Sequence, residues 1–207
     1  MEYIVNFEKI LSENPASFFA IVGAFILILF GFRVRKIKLN SRMTIHISLM
    51  LALSILLHQL RLYHFPQGGS VTLGGMIPLL MLSFRYGSGT GTLAGFVYGI
   101  ILMIQDPFIL HPLQVLFDYP LPYMAAGLAG LFREKFILAT CLTFVGRFLC
   151  NFISGVIFFA SYAPEGMSPA IYSLTVNAGL LIPECLICCI ILKFLPVKRL
   201  LDAMDKS

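Results

Sequence analysis

The stretch His111-Pro112-Leu113-Gln114-Val115-Leu116-Phe117-Asp118-Tyr119-Pro120 sets one carboxylate into the start of an apolar helix. A charge at helix-centre depth in a bilayer costs about 2.5–3.5 kcal/mol on insertion scales, so Asp118 calls for a partner or a function. The rest of the chain places that carboxylate in a membrane. Its 207 residues are 58% hydrophobic and 12% charged, with a mean hydropathy of +0.90. An ordinary soluble domain carries about 25% charged residues. The sequence reads as an all-α integral membrane protein.

Crossing a hydrocarbon core ~30 Å thick takes about 17–25 apolar residues. Seven candidate segments are found, at 16–32, 43–63, 71–85, 90–105, 112–131, 136–162 and 170–195; the third and fourth are short and glycine-bearing. No hydrophilic run is long enough for a separate soluble domain, and no internal repeat is evident. The first segment does not read as a cleaved signal peptide. Its leader carries Glu2, Glu8 and Glu13 against Lys9, the reverse of a basic n-region. The expected division is a first helix and basic loop over 1–42, then a membrane domain over 43–207.

Basic residues orient such a chain, because Lys and Arg gather in cytoplasmic loops. Arg33, Arg35, Lys36, Lys38 and Arg42 follow the first segment. Arg85, then Arg133 and Lys135, then Lys193, Lys198, Arg199 and Lys206 occupy every second loop and the tail. Lys9, Arg61 and Arg147 are the exceptions. This pattern puts the amino terminus outside and the carboxy terminus in the cytoplasm, in a plasma-membrane protein. Topology thus accounts for the net charge of +5 without nucleic acid as a partner.

With that topology, a rise of 1.5 Å per residue converts position into depth. Asp118 falls roughly 9 Å below the outer face, Tyr98 roughly 10 Å, Asn177 about 12 Å and Asn151 about 16 Å. One polar and aromatic layer results, as a ligand cavity in a helical bundle requires. Arg147, Asn151, Gly155, Phe159 and Tyr162 follow one helical face, with Gly155 expected to leave room for a ligand. Tyr172 and Asn177, about 140° apart on a regular helix, reach one cavity only with help from side-chain length or a bend. The loops Phe65-Pro66-Gln67-Gly68-Gly69-Ser70 and Asp106-Pro107-Phe108 read as outer lids or as ordinary turns. Packing between helices is the competing reading for each aromatic, most of all for Phe159 and Tyr98.

Other motifs carry little. Cys141, Cys150, Cys185, Cys188 and Cys189 all lie in apolar runs, without a disulfide framework or the polar company of a zinc site, and Cys185-x-x-Cys188-Cys189 reads as lipid- or helix-facing filler. Gly87-Ser88-Gly89-Thr90-Gly91 lacks the Gly-Lys-Ser/Thr ending of a phosphate loop and reads as a tight turn. No paired-histidine metal motif and no nucleotide-binding signature is present, so no metal or other cofactor is expected. The chain by itself cannot power transport with ATP.

Several stretches together resemble the thiamine-specific substrate-binding subunits (S components) of energy-coupling factor transporters. They are Pro66 to Leu73, Met76-Ile77-Pro78, Phe84-Arg85-Tyr86-Gly87, His111-Pro112-Leu113-Gln114 with Asp118-Tyr119, Arg147 with Ile153-Ser154-Gly155, Ser161 to Gly166, and Tyr172-Ser173-Leu174 with Asn177. The resemblance spans 43–196. It implies a six-helix bundle, here with one additional amino-terminal helix, that takes thiamine from outside and docks on a transmembrane coupling subunit and two ATPases. It implies binding through Asp118, Tyr119, Asn151, Phe159, Tyr172 and Asn177, with Tyr98, Phe108 and Phe65 completing the aromatic surround. Docking is implied at Ser48 and Ala52, a small-xxx-small pair that permits close helix approach.

The chain also departs from the family, which usually has histidine at Asn151 and often tryptophan at Phe65, Tyr98 and Phe159. A thiamine precursor is therefore an alternative ligand. An intramembrane enzyme using His111 or a cysteine is the rival from another class, and it lacks a recognisable nucleophile–base pair. The chemistry of thiamine suits the layer independently. A thiazolium cation fits aromatic faces and a carboxylate, and an aminopyrimidine edge can be read by Asn151, Asn177 and tyrosine hydroxyls. Arg147 and Glu184, both roughly 22 Å deep, are expected to form a structural ion pair, the alternative being that Glu184 reaches the cytoplasmic interface.

Overall fold

The computed structural model describes residues 22–23, 25–31, 35, 37–66 and 68–206. The acidic leader, the start of the first expected span, Arg33, Lys36 and Gln67 lie outside the described residues.

Helix α1 (Ser41–Gln59) starts where the Asn40 side chain accepts a hydrogen bond from the Met43 amide at 2.8 Å. The sequence pattern carries this helix to residue 63, but it stops at Gln59. Leu60, Leu62 and Tyr63 keep the hydropathy high, yet Arg61–His64 forms strand β1, paired antiparallel with β2 (Ser70–Thr72). Gly68 and Gly69, with φ of +92° and +88°, make the turn that side-chain-bearing residues resist.

The expected span 71–85 is likewise divided. Strand β2 takes its start, and helix α2 (Ile77–Tyr86) is only 10 residues long, about 15 Å at helical rise. Leu79, Leu80 and Leu82 in α2 are fully buried, so this short helix is core on all sides. Helix α3 (Ser88–Gln105) packs beside it. A Cβ on Gly95 would stand 2.0 Å from the Tyr123 carbonyl oxygen, and one on Gly99 2.4 Å from that of Tyr119. These two glycines let the segment after Asp118 lie directly against α3.

That segment, 112–131, is not one helix. It runs as α4 (Pro112–Asp118), α5 (Pro120–Met124) and a 3-10 stretch, Ala125–Leu131. Pro120 lacks an amide hydrogen and its ring crowds the carbonyl four residues back, so α4 cannot continue through it. Helices α6 (Phe136–Phe158) and α7 (Pro169–Phe194) follow, joined through the 3-10 turn Ala160–Tyr162. Both are close in extent to the expected spans.

Helix α8 (Val197–Lys206) ends the described chain. It is tied to the bundle by Arg42, which donates to the Asp205 carbonyl at 3.0 Å, and by the ion pair of Arg85 with the Asp205 carboxylate.

Among the described residues, α1, α3, α6 and α7 are long and apolar enough to cross a membrane. Their outward faces carry Ile45, Leu49, Leu56, Ile182, Leu186 and Ile190, all exposed, as lipid-facing surfaces do. The fold is that of a mostly helical, multi-pass membrane protein. Residues 25–31 are also helical, and Leu27 and Phe30 pack on Phe117, Leu121 and Met124. Leu27 and Phe30 thus lie beside α4 and α5.

Candidate functional site

A cavity opens between α4, α6, α7, the β-hairpin and the loop before α4. Of the residues singled out from sequence, Phe65, Phe108, Asp118, Tyr119, Asn151, Gly155, Phe159, Tyr172 and Asn177 line it. Tyr98 does not. It is 1% exposed in the core, edge-on to Tyr123 at 5.0 Å between ring centres, with its hydroxyl 3.5 Å from the Ser54 carbonyl. Its depth matched the layer, but its helical face did not.

The short helix α4 delivers the carboxylate. Gln114 sits one turn before Asp118, and its amide nitrogen donates both to the Asp118 carboxylate and to the Phe108 carbonyl, the latter at 3.0 Å. The amide oxygen of Gln114 accepts from the Leu110 amide at 3.0 Å, so both ends of this side chain are committed. Among the described residues no ion pair reaches Asp118. It is a half-buried carboxylate with an amide neighbour and a cavity in front of it.

Tyr119 fixes the rim. Its hydroxyl donates to the Asp106 carbonyl at 2.9 Å and accepts from the Phe108 amide at 2.7 Å, pinning the loop that carries Phe108. Phe108 stacks on Phe159 with centroids 5.8 Å apart and planes at 19°, and Tyr162 meets both rings at 6.4 and 5.8 Å. Phe108 and Phe159 line the cavity, with Tyr162 packed behind them. Across the mouth, Arg61 of β1 pairs with Asp106 at 2.7 Å, joining the hairpin to the same loop.

The opposite wall comes from α6 and α7. Gly155 lines the cavity and also lies directly against α7. A Cβ there would lie 2.2 Å from Ser173 Oγ, so the missing side chain is what admits α7. Ser173 donates to the Phe152 carbonyl at 2.8 Å, and Asn177 donates to the Ser173 carbonyl at 2.9 Å and the Asn151 carbonyl at 3.3 Å. Asn151 Oδ1 is buried on this wall without a hydrogen-bond partner among the described residues. A buried acceptor of this kind costs stability unless something supplies a donor.

Arg147 also reaches the cavity, but it is spoken for. Its Nη1 lies 2.9 Å from Glu184 Oε2, with side chains 5% and 3% exposed, and Thr72 donates to the other Glu184 oxygen at 2.7 Å. The guanidinium lies over the rings of Tyr123 and Phe144 at 4.7 and 5.0 Å. The expected ion pair is present. Gln114, Tyr123, His58 and Ser173 are cavity residues absent from the sequence-derived set. For Gln114 a signal existed, since it precedes Asp118 by four residues on one face. The small-xxx-small pair Ser48 and Ala52 sits apart from the site, exposed on α1.

Residues 44–202 match the family model described as thiamine transporter protein, and the chain belongs to that family, one of membrane transporters and not of enzymes. It is 37% identical over 161 residues to the thiamine transporter ThiT of Bacillus subtilis, covering 69% of this chain and 83% of that protein. It is 34% identical over 125 residues to ThiT of Lacticaseibacillus paracasei, covering 51% and 62%. The solved structure of ThiT from Listeria monocytogenes has the same fold, with a TM-score of 0.65 at 22% identity over 76% of this chain and 97% of that one.

Proposed function

We propose that the protein captures thiamine from outside the cell as the substrate-binding subunit of an energy-coupling factor importer. The observation that carries this reading is Asp118, a carboxylate facing a ring-lined cavity with no cation paired to it among the described residues. A cationic thiazolium supplies the missing charge, and the faces of Phe108 and Phe159 favour a cation as well. Asn151 Oδ1 offers the unfilled acceptor that an exocyclic amine of an aminopyrimidine would meet. Family membership supports the same ligand.

In this reading the bundle of the S component comprises α1, α2, α3, the broken segment 112–131, α6 and α7. The segment before residue 42 is an addition to that six-part core. The amino terminus is outside and the carboxy terminus cytoplasmic, supported by the distribution of lysine and arginine. A coupling subunit and two ATPases drive uptake, with Ser48 and Ala52 of α1 against the coupling subunit. Calorimetric titration of the purified protein with thiamine tests the ligand. One-to-one saturable binding, with weaker binding of the isolated aminopyrimidine, is expected. Tighter binding of that fragment than of thiamine would reassign the substrate to a precursor.

A further inference from the structure

A second group of reactive side chains lies away from the cavity. Cys185 and Cys189 are four residues apart on α7, which sets both sulfurs on one side of the helix. Cys141 of α6 meets them there, and the three Sγ atoms all lie within 4.8 Å of one another. All three are free thiols. The grouping is selective: Cys188 is fully buried in the core between them, and Cys150 packs with the Phe117, Leu121 and Met124 cluster.

Three thiolates bound to one ion at about 2.3 Å stand about 4 Å from each other in a trigonal arrangement. The three sulfurs, none more than 4.8 Å from another, are close enough to share one ion. Thiolate donors select soft, thiophilic ions over oxygen-seeking ones such as magnesium or calcium. The cluster also sits at the basic end of the bundle. Lys193 follows Cys189 by four residues, and Lys135 shares a shallow recess with Lys193 at the junction of α6 and α7.

We propose that Cys141, Cys185 and Cys189 form a three-sulfur site for one d10 thiophilic cation of the zinc, cadmium or copper(I) class. Each coordinating thiol releases its proton to solvent, and no redox step is involved. The site is separate from the cavity, so its occupancy is independent of the ligand held there.

Cadmium is the probe, because thiolate-to-cadmium charge transfer absorbs in the ultraviolet, where a chain without tryptophan has a low background. The intact, reduced protein in detergent is titrated with cadmium. One equivalent should saturate the band. Cys141→Ser, Cys185→Ser and Cys189→Ser should each weaken binding at least tenfold, while Cys150→Ser and Cys188→Ser change it less than twofold. On the unaltered protein, cadmium should shield Cys141, Cys185 and Cys189 from maleimide labelling, read residue by residue by mass spectrometry. This second measurement does not depend on how the variants fold. Absence of the band, shielding of all five thiols alike, or shielding of none would overturn the site.

Discussion

Arg147 Nη1 stands 2.9 Å from Glu184 Oε2, and that pairing leaves Asp118 as the cavity carboxylate without a cation among the described residues. Two charges buried together at 5% and 3% exposure neutralise each other and hold α6 to α7. Glu184 also receives Thr72 of β2 at 2.7 Å, which extends the tie to the hairpin. The structure thus separates two paired carboxylates, Glu184 with Arg147 and Asp106 with Arg61, from Asp118, which has no ion pair among the described residues.

Breaking the pair should be costly and removing it cheap. Arg147→Met or Glu184→Gln alone leaves a buried, uncompensated charge, and about 3–5 kcal/mol of stability should be lost. The double variant Arg147→Met with Glu184→Met should recover most of it. Thermal unfolding in detergent reads both results. A double variant no better than the worse single one would show that the pair is not the unit of stability.

Gly155→Ala should weaken thiamine binding through packing alone. The added methyl would lie 2.2 Å from Ser173 Oγ, forcing α6 and α7 apart where Asn177 bonds to the Asn151 carbonyl. Overpacking costs about 1–3 kcal/mol, so a loss of roughly 5- to 100-fold in affinity is expected. Ser173→Gly in the same chain should restore part of it, as measured by calorimetry.

Tyr119 and Tyr98 should respond oppositely to loss of their hydroxyls. Tyr119→Phe frees the Asp106 carbonyl and the Phe108 amide, so the loop bearing Phe108 should loosen and affinity fall by about 1 kcal/mol. Tyr98→Phe should leave binding within about twofold, since this hydroxyl meets the Ser54 carbonyl at 3.5 Å and the ring is core, outside the cavity lining. Titrating both variants under one set of conditions decides whether Tyr98 belongs with the site.

These contrasts show what could be read from the residues. The long helices α1, α3, α6 and α7 were legible because apolar length is a direct consequence of bilayer thickness. So were Asp118, Asn151 and Asn177 as one group, because helix rise converts sequence position into depth. Depth does not give azimuth, which is why Tyr98 reached the right layer on the wrong face. Hydropathy could not see the end of α1, since Leu62 and Tyr63 are as apolar in a strand as in a helix. The break after Asp118 was not read, although Pro120 stands at it, because the apolar run from 112 to 131 is unbroken in hydropathy. The close approach of Gly155 to Ser173 was not legible, because a glycine beside a cavity and a glycine against a neighbouring helix look alike until the helices are packed.

Docking is separable from binding. Ser48 and Ala52 are exposed on α1, away from the cavity lining. Ala52→Trp should abolish thiamine uptake in cells while the purified variant still binds with unchanged affinity, because the bulky side chain keeps a partner helix at a distance. Equal loss of binding and uptake would place this face within the fold of the protein itself.

The central claim is that Asp118 holds a cation, and Asp118→Asn tests it most directly. The change keeps the shape and the contact with Gln114 and removes the charge. Calorimetric titration of both proteins with thiamine and with an uncharged analogue gives four affinities. Thiamine affinity should fall by about 2–5 kcal/mol, the scale for truncating one member of a buried charge pair. The uncharged analogue should bind the two proteins almost alike. Equal losses for both ligands would mean that Asp118 reads a hydrogen-bonding edge, and no loss for either would place it outside the site.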